Sequence, residues 1–390
     1  MDNFICHMPT KIFFGKRQII KLGDEVRKYG KRILLIYGGG SIKRIGLYDD
    51  ILDQFKKVGV DIFELGGVKP NPRLSMVHRG AEICREKDID FILAAGGGST
   101  IDCAKAIAAQ ALYEGDIWDY FIARGKKTVE DAIPLGVILT IAATGSEMNG
   151  NSVITNLPIK EKLYISSSSL VPKFSILDPE YTFSVPVDQT RNGIVDIIVH
   201  VVDQYFDKTP NTPLQDRFAE EIITTMVEIA DTVLNEPFNY DARATMMWCG
   251  TWALNYMIGY GKQQDWAGHD MEHEVSGVYD IAHAVGLAII SPNWATYILS
   301  EGTDKFVQFA TRVWDVKTDG KTDRDIALEG IEKYREFFVS IGMPSSFKEI
   351  NIDDKYFKLM AKKATRFGPI GGYKKLTAED VLEIYKMCLD

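Results

Sequence analysis

Ile33-Leu-Leu-Ile-Tyr37 and Phe91-Ile-Leu-Ala-Ala95 are short apolar runs, and each ends in Gly-Gly-Gly-Ser, at 38–41 and 96–99. Five apolar residues without polar alternation suit a strand buried on both faces, the usual state of strands in a parallel sheet. The segments between and after them fit that plan. A helical pattern covers about 47–57, a strand Asp61–Leu65, and Pro70-Asn71-Pro72 breaks the chain before a helix over about 74–86. A helix is expected from Thr100, and a further strand at Leu135–Thr140. Thr10-Lys-Ile-Phe-Phe14 reads as a short strand stopped by Gly15, and 151–187 reads as extended, with Val153-Ile-Thr155 and Phe174-Ser-Ile-Leu-Asp-Pro179. Strand, glycine turn and helix in repetition predict an α/β domain whose parallel strands are joined by crossover helices.

After Pro186 the texture changes. Long amphipathic patterns replace strand signals; Phe218, Ile222, Met226, Ile229 and Val233 mark one helical face. Thr377-Ala-Glu-Asp380 is a capping box for a last helix running through Val381, Ile384 and Met387. A chain of 390 residues exceeds what one hydrophobic core usually serves. Two domains are therefore expected: an α/β domain over 1–187 and an all-α domain over 188–390.

The net charge of −9 argues against a nucleic acid or an anionic membrane as partner, since both require a basic patch. No apolar run is long enough to span a bilayer, and the N-terminal residues lack the layout of a signal peptide. Five scattered cysteines without a CxxC pair read as reduced thiols, which predicts a cytoplasmic protein. A small-molecule substrate remains.

Gly38, Gly39, Gly40 and Ser41, and Gly97, Gly98 and Ser99, end strands where glycine lets backbone approach a phosphate and the next helix offers free N–H groups. Neither turn is a GxGxxG fingerprint: Lys43 and Ile101 stand where the third glycine belongs. One such turn alone is a tight strand-to-helix connection; two on neighbouring strands point to a dinucleotide at the strand ends. Ala143-Thr-Gly-Ser-Glu147 adds hydroxyls and a glycine after a third strand.

Four of the six histidines fall in two places: His200 in Asp196-Ile-Ile-Val-His200, and His269, His273 and His283 within twenty residues of Gln264. Asp196/His200 and His269/His273 are spaced i, i+4, which puts each pair on one helix face. One carboxylate with several imidazoles suits Fe(II), Zn(II), Co(II) or Ni(II). His273 is open between a further ligand, a residue behind the ligands and a proton carrier. Asp270, Glu272 and Glu274 are expected to be solvated helix charges, and His7 and His78 to be structural or surface residues. Trp118, Trp266 and Met148 are candidates for an apolar pocket, or plain core.

Taken in order, these segments resemble the iron-containing (group III) alcohol dehydrogenase family, and within it the butanol dehydrogenase-like NAD(P)H-dependent aldehyde reductases. The likeness rests on Tyr37-Gly-Gly-Gly-Ser41, Val68-Lys-Pro-Asn71-Pro72, Gly96–Ser99 with Asp102 and Lys105, Tyr113–Asp119 and Ala143–Gly150. Asp196–His200, His269–His273 and Tyr279–His283 complete it, and it covers essentially the whole chain. The resemblance implies the architecture shared with dehydroquinate synthase, in which an α/β dinucleotide-binding domain precedes a helical metal-binding domain and the cofactor lies between them. It implies a metal held by Asp196, His200, His269 and His283, with Fe(II) expected first and Zn(II) second. His273 becomes a catalytic proton relay beside the nicotinamide. The pyrophosphate falls to Gly97, Gly98 and Ser99, Asp102 lies near the nicotinamide ribose, and Asn71, Thr140, Thr144 and Lys162 match cofactor-contacting positions. A homodimer is expected.

Many NAD-specific members of that family carry an aspartate where this chain has Gly39. Gly39 and Ser41 leave room for a 2′-phosphate, and Lys43 or Arg44 offers positive charge. The expectation is a preference for NADP(H), with NAD(H) as the second cofactor. The implied reaction is reversible hydride transfer between nicotinamide C4 and the carbonyl carbon of a short-chain aldehyde, with the metal as Lewis acid on the oxygen. Alternative readings are a glycerol dehydrogenase-like or dehydroquinate synthase-like enzyme, or a metallohydrolase that would leave the glycine turns unexplained.

Overall fold

The computed structural model describes residues 1–390 as two compact units. The first comprises His7–Thr190 and Asn235–Asn255; the second comprises Met1–Cys6, Arg191–Leu234 and Tyr256–Asp390.

The first unit is built on a six-stranded sheet, all parallel. Its strands are β1 (Lys11–Phe14), β2 (Arg32–Tyr37), β3 (Asp61–Leu65), β4 (Phe91–Gly96), β5 (Leu135–Leu139) and β8 (Phe174–Leu177), in the order β1-β8-β5-β4-β2-β3. β4 and β5 are buried throughout, and β2 is buried from Ile33 to Tyr37. Edge strands β1 and β3 carry the exposed positions. Their mixed character follows from having a neighbour on one side only. Gly136 sits in β5 because a Cβ there would stand 2.6 Å from Phe174 and 2.9 Å from Phe91. Those two rings stack at 5.7 Å across the space it leaves. The segment expected to be extended contains more than β8: β6 (Asn151–Asn156) and β7 (Glu161–Ser166) form a separate antiparallel pair.

From β2 the chain moves to β3 on one side and then to β4 on the other. The order in which strands are added therefore reverses between β2 and β4, at whose carboxyl ends the two Gly-Gly-Gly-Ser turns lie. Open parallel sheets bind ligands in the crevice at such a switch point. The second glycine turn enters its helix earlier than expected, at Gly98 and not Thr100, so that Gly97 is the N-cap of the helix Gly98–Leu112.

The second unit is helical. The helix Val187–Tyr205 carries Asp196 and His200, Ala267–Tyr279 carries His269 and His273, and His283 opens His283–Ile298. The stripe of Ile222, Met226 and Val233 is buried along Pro213–Asn235, and Thr377 and Asp380 form the expected capping box. An aromatic core anchors the unit: Phe206 stacks on Phe306 at 4.5 Å and meets Trp294 and Phe309 edge-on. No helix is long and apolar enough to cross a membrane. A parallel-sheet α/β unit and an α-helical unit are the fold class the sequence predicts.

Candidate active site

In the first unit the two glycine turns and Thr140 lie at the carboxyl ends of β2, β4 and β5, whereas Asn71 follows the edge strand β3 and Lys162 lies on β7. A Cβ on Gly98 would stand 2.4 Å from Thr144, and one on Gly97 would stand 3.1 Å from Ile141, so the helix N-terminus packs against the loop after β5. Glycine permits this close approach. Thr140 N–H donates to the Gly96 carbonyl at 3.1 Å. A Cβ on Gly38 would be 3.8 Å from Thr100 Oγ1, which ties the first turn to the helix of the second. Gly40 has φ +92°, so it opens the short helix Ser41–Arg44 in a conformation few other residues adopt. Asn71 also has positive φ (50°), and the loop beyond it is tied to β6 where Thr155 N–H donates to the Pro72 carbonyl. Lys162 is buried opposite Thr155 in the β6–β7 pair. Around Gly39 the space is open. Lys43 lies over the rings of Tyr37 and Tyr48 and 3.9 Å from Glu64.

Behind the glycine turn lies a buried polar cluster. Lys105 Nζ donates to Ser146 Oγ (2.8 Å), Asn149 Oδ1 (3.1 Å) and the Asn151 carbonyl (2.8 Å). Asp102 accepts from Ser146 Oγ at 2.6 Å and from Val153 N–H at 3.0 Å. Thr251 Oγ1 donates to Glu147 at 2.6 Å, and Asn149 donates to the Leu254 carbonyl at 2.9 Å. Burial pushes the carboxyls of Asp102 and Glu147 up and the Lys105 ammonium down to about 8.

In the second unit Asp196, His200 and His269 offer ligand atoms that all lie within 4.8 Å of one another, and all three are buried. Donors around a single ion with bonds near 2.1 Å stand about 3–4 Å apart, so little movement would close the set. His200 Nδ1 and Asp196 Oδ1 are 3.8 Å apart, and His283 Nε2 is 3.9 Å from the same oxygen. The His200 and His269 rings lie 4.6 Å apart and those of His269 and His283 5.2 Å. His200 Nδ1 and His269 Nε2 are buried with no hydrogen-bond partner. Nitrogens so placed cost stability unless something binds them. Burial, then the charges of His269 and His283, holds His200 well below its usual pKa, in the neutral form a metal requires. Burial opposes charge on His269 too, but the Asp203 carboxylate outweighs it and raises that pKa. His273 lies one turn from His269 with ring centroids at 6.4 Å, and it groups with Glu272 and His283. Trp266 meets the His269 ring at 5.3 Å, whereas Trp118 packs on Phe121 in the first unit.

The two halves of the chain match two family models, iron-containing alcohol dehydrogenase over residues 9–179 and the C-terminal domain of Fe-containing alcohol dehydrogenases over 190–389. The chain belongs to the iron-containing alcohol dehydrogenases. It is 50% identical, over the full length of both chains, to the probable NADH-dependent butanol dehydrogenase 1 of Bacillus subtilis. It is 39% identical over 99% of each chain to the NADPH-dependent aldehyde reductase YqhD of Escherichia coli. Among solved structures, NADH-dependent butanol dehydrogenase A of Thermotoga maritima superposes with a TM-score of 0.95 at 40% identity, covering 100% of this chain and 99% of the other. This iron-containing alcohol dehydrogenase is thus an NAD(P)-dependent oxidoreductase of the alcohol dehydrogenase and aldehyde reductase class. That membership decides against the cyclase and hydrolase readings.

One expectation about this dehydrogenase is corrected. Glu272 and Glu274 are not solvated helix charges: they are 0% and 3% exposed. The helix that carries them packs against His283–Ile298 and Phe357–Ala364, which leaves it little solvated face. Glu274 pairs with Arg366 at 2.6 Å, and Glu272 accepts from His283 Nδ1. Asp203 and Asp265 also belong to this neighbourhood, although neither is among the residues expected from the sequence. Asp203 Oδ2 lies 2.7 Å from His269 Nδ1. Asp265 accepts from the N–H groups of Ala267, Gly372 and Tyr373, and burial with the nearby Asp203 pushes it up to about 7. Asp203 is spaced i, i+3 from His200, a signal the sequence did contain. His7 is exposed and His78 sits near the surface beside Asp116, as expected of non-site histidines.

Proposed function

We propose that this enzyme reduces short-chain aldehydes such as butanal to primary alcohols, reversibly. One divalent metal is held by Asp196, His200, His269 and His283, Fe(II) before Zn(II). The observation that carries the reading is the pair of buried, unpartnered nitrogens on His200 and His269 beside the Asp196 carboxylate. A mixed nitrogen and oxygen donor set of this kind suits either ion. When bound, the metal supplies a Lewis acid for a carbonyl oxygen and the dinucleotide supplies the hydride.

The side chains have distinct tasks on this reading. The N-terminus of the helix Gly98–Leu112, with Gly97 and Ser99, receives the pyrophosphate through backbone N–H groups. Gly38, Gly39, Gly40 and Ser41 shape the adenosine side. Asp102 supports the nicotinamide ribose side, and Asn71, Thr140, Thr144 and Lys162 complete the cofactor contacts. His273 delivers a proton to the alkoxide formed from the aldehyde. The names of both kinds of relative, butanol dehydrogenase and aldehyde reductase, agree with an aldehyde and alcohol pair. The enzyme works in the cytoplasm, where its five free cysteines stay reduced, and as a homodimer.

The preferred cofactor is NADP(H). The relatives' names divide: the butanol dehydrogenases of Bacillus subtilis and Thermotoga maritima are named NADH-dependent and YqhD NADPH-dependent, so the preference proposed here rests on this chain's own residues. Gly39 has open space where an aspartate would repel a 2′-phosphate, and Lys43, four residues on, carries a positive charge that Glu64 shares at 3.9 Å. Steady-state reduction of butanal with each dinucleotide tests this. NADPH should show the higher kcat/KM, and Gly39→Asp should move the ratio toward NADH by roughly tenfold or more, a cost of about 1.4 kcal/mol. A clear preference of the unmodified enzyme for NADH would overturn the reading of Gly39.

A further inference from the structure

Behind two of the four imidazoles stands a buried carboxylate. His269 Nδ1 lies 2.7 Å from Asp203 Oδ2, and the His269 backbone N–H donates to the same oxygen at 3.3 Å. His283 Nδ1 meets Glu272 Oε2 in the same way, while Ser276 donates its hydroxyl to Glu272 Oε1. Both carboxylates are 0% exposed at the side chain. An ionised carboxylate only accepts, so each of these contacts places the ring proton on Nδ1 and the lone pair on Nε2. His269 Nε2 is the buried nitrogen without a hydrogen-bond partner, and His283 Nε2 faces Asp196.

Two glycines inside helices make room for these carboxylates. A Cβ on Gly268 would stand 3.1 Å from Asp203 Oδ1, and one on Gly286 would stand 2.8 Å from Glu272 Cγ and 3.0 Å from its Oε1. Glycine is disfavoured in a helix interior, so Gly286, in the helix His283–Ile298, fits a demand for space there; Gly268 stands in the first turn of its helix. One glycine directly precedes His269 and the other follows His283 by one turn.

We propose that Asp203 and Glu272 are positioning residues, which lock the tautomer and orientation of His269 and His283 and so set how tightly the site holds its metal. This rests on the metal reading above. On this proposal Glu272 serves His283 and Ser276, each of which engages one of its oxygens, and is not one of the ligands. Carboxylates behind ligating histidines commonly change metal affinity 10- to 100-fold, on the order of what is expected here.

The test is equilibrium binding to the metal-stripped full-length protein, with Zn(II) affinity measured by chelator competition and Co(II) binding followed by visible absorption. The unmodified protein should bind one Zn(II) per chain, and His200→Ala should bind none. Asp203→Ala and Glu272→Ala should each lose about 10- to 100-fold in affinity and alter the Co(II) spectrum at saturation. Glu272→Gln, which still accepts from His283, should recover part of that loss. Gly286→Ala, whose added Cβ meets Glu272 first, should weaken binding in the same direction. Circular dichroism checks folding; should the alanine variants not fold, Glu272→Gln and Gly286→Ala carry the test. Unchanged Zn(II) affinity and Co(II) spectrum in those two variants would overturn the inference while leaving the four-ligand site standing. Two Zn(II) per chain, one of them lost with Glu272, would make Glu272 a ligand and also overturn it. No Zn(II) bound by the unmodified protein, or full binding by His200→Ala, would remove the metal reading itself.

Discussion

His269 and His273 stand one helical turn apart, yet their surroundings divide them. His269 shares its neighbourhood with Asp196 and His200, and Asp203 holds its Nδ1; His273 groups with Glu272 and His283. Spacing in the sequence made them equals, because i, i+4 states only that two side chains share a face. What each ring meets is decided by the helices Val187–Tyr205 and His283–Ile298, which the sequence does not place. The same limit hid Glu272: an acidic residue among Asp270, His273 and Glu274 reads as solvated until packing shows the helix covered on more than one side. Two substitutions separate the roles. His200→Ala should lose metal and activity together, as read by elemental analysis and aldehyde-dependent NADPH oxidation. His273→Ala should keep its metal and lose roughly 100- to 10,000-fold in rate, with an altered pH profile. Metal loss in His273→Ala would assign it to the ligands instead.

The strands of the central sheet were legible as elements because uninterrupted apolar runs and glycine stops leave few alternatives. Thr377-Ala-Glu-Asp380 was equally legible, being a local device that needs no tertiary partner. The support of the Ala143–Gly150 loop was not. It depends on Lys105 from the preceding helix and on Thr251 and Leu254 from the helix Tyr240–Ala253 and its end, about a hundred residues on. No periodicity encodes such a contact. Lys105 gives this network a pH signature. Burial lowers it to about 8 in the folded protein against 10.5 for an unburied lysine. Below pH 8 both states carry the charge and the folded state bears its burial. Between pH 8 and 10.5 the unfolded chain binds the extra proton, so stability rises with pH across that window. Urea unfolding at pH 7.5 and 10 should show wild type gaining on Lys105→Met by on the order of 1–3 kcal/mol. A gap that shrinks as pH rises would contradict this.

At the scale of the whole molecule, one half of the chain carries the dinucleotide turns and the other carries the imidazoles, and a family model matches each half. The class of chemistry was legible because it rests on a few residue types at fixed spacings. Cofactor preference and metal identity rest on smaller differences, such as the side chain missing at Gly39 and the groups behind the histidines. The central claim is that this is a metal-dependent aldehyde reductase acting through Asp196, His200, His269 and His283. Elemental analysis of the purified protein, paired with a butanal assay before and after chelation and after reloading with Fe(II) or Zn(II), tests it most directly. The account predicts about one divalent ion per chain, loss of NADPH oxidation on chelation, and its return on reloading. Full activity in the metal-free protein would contradict it.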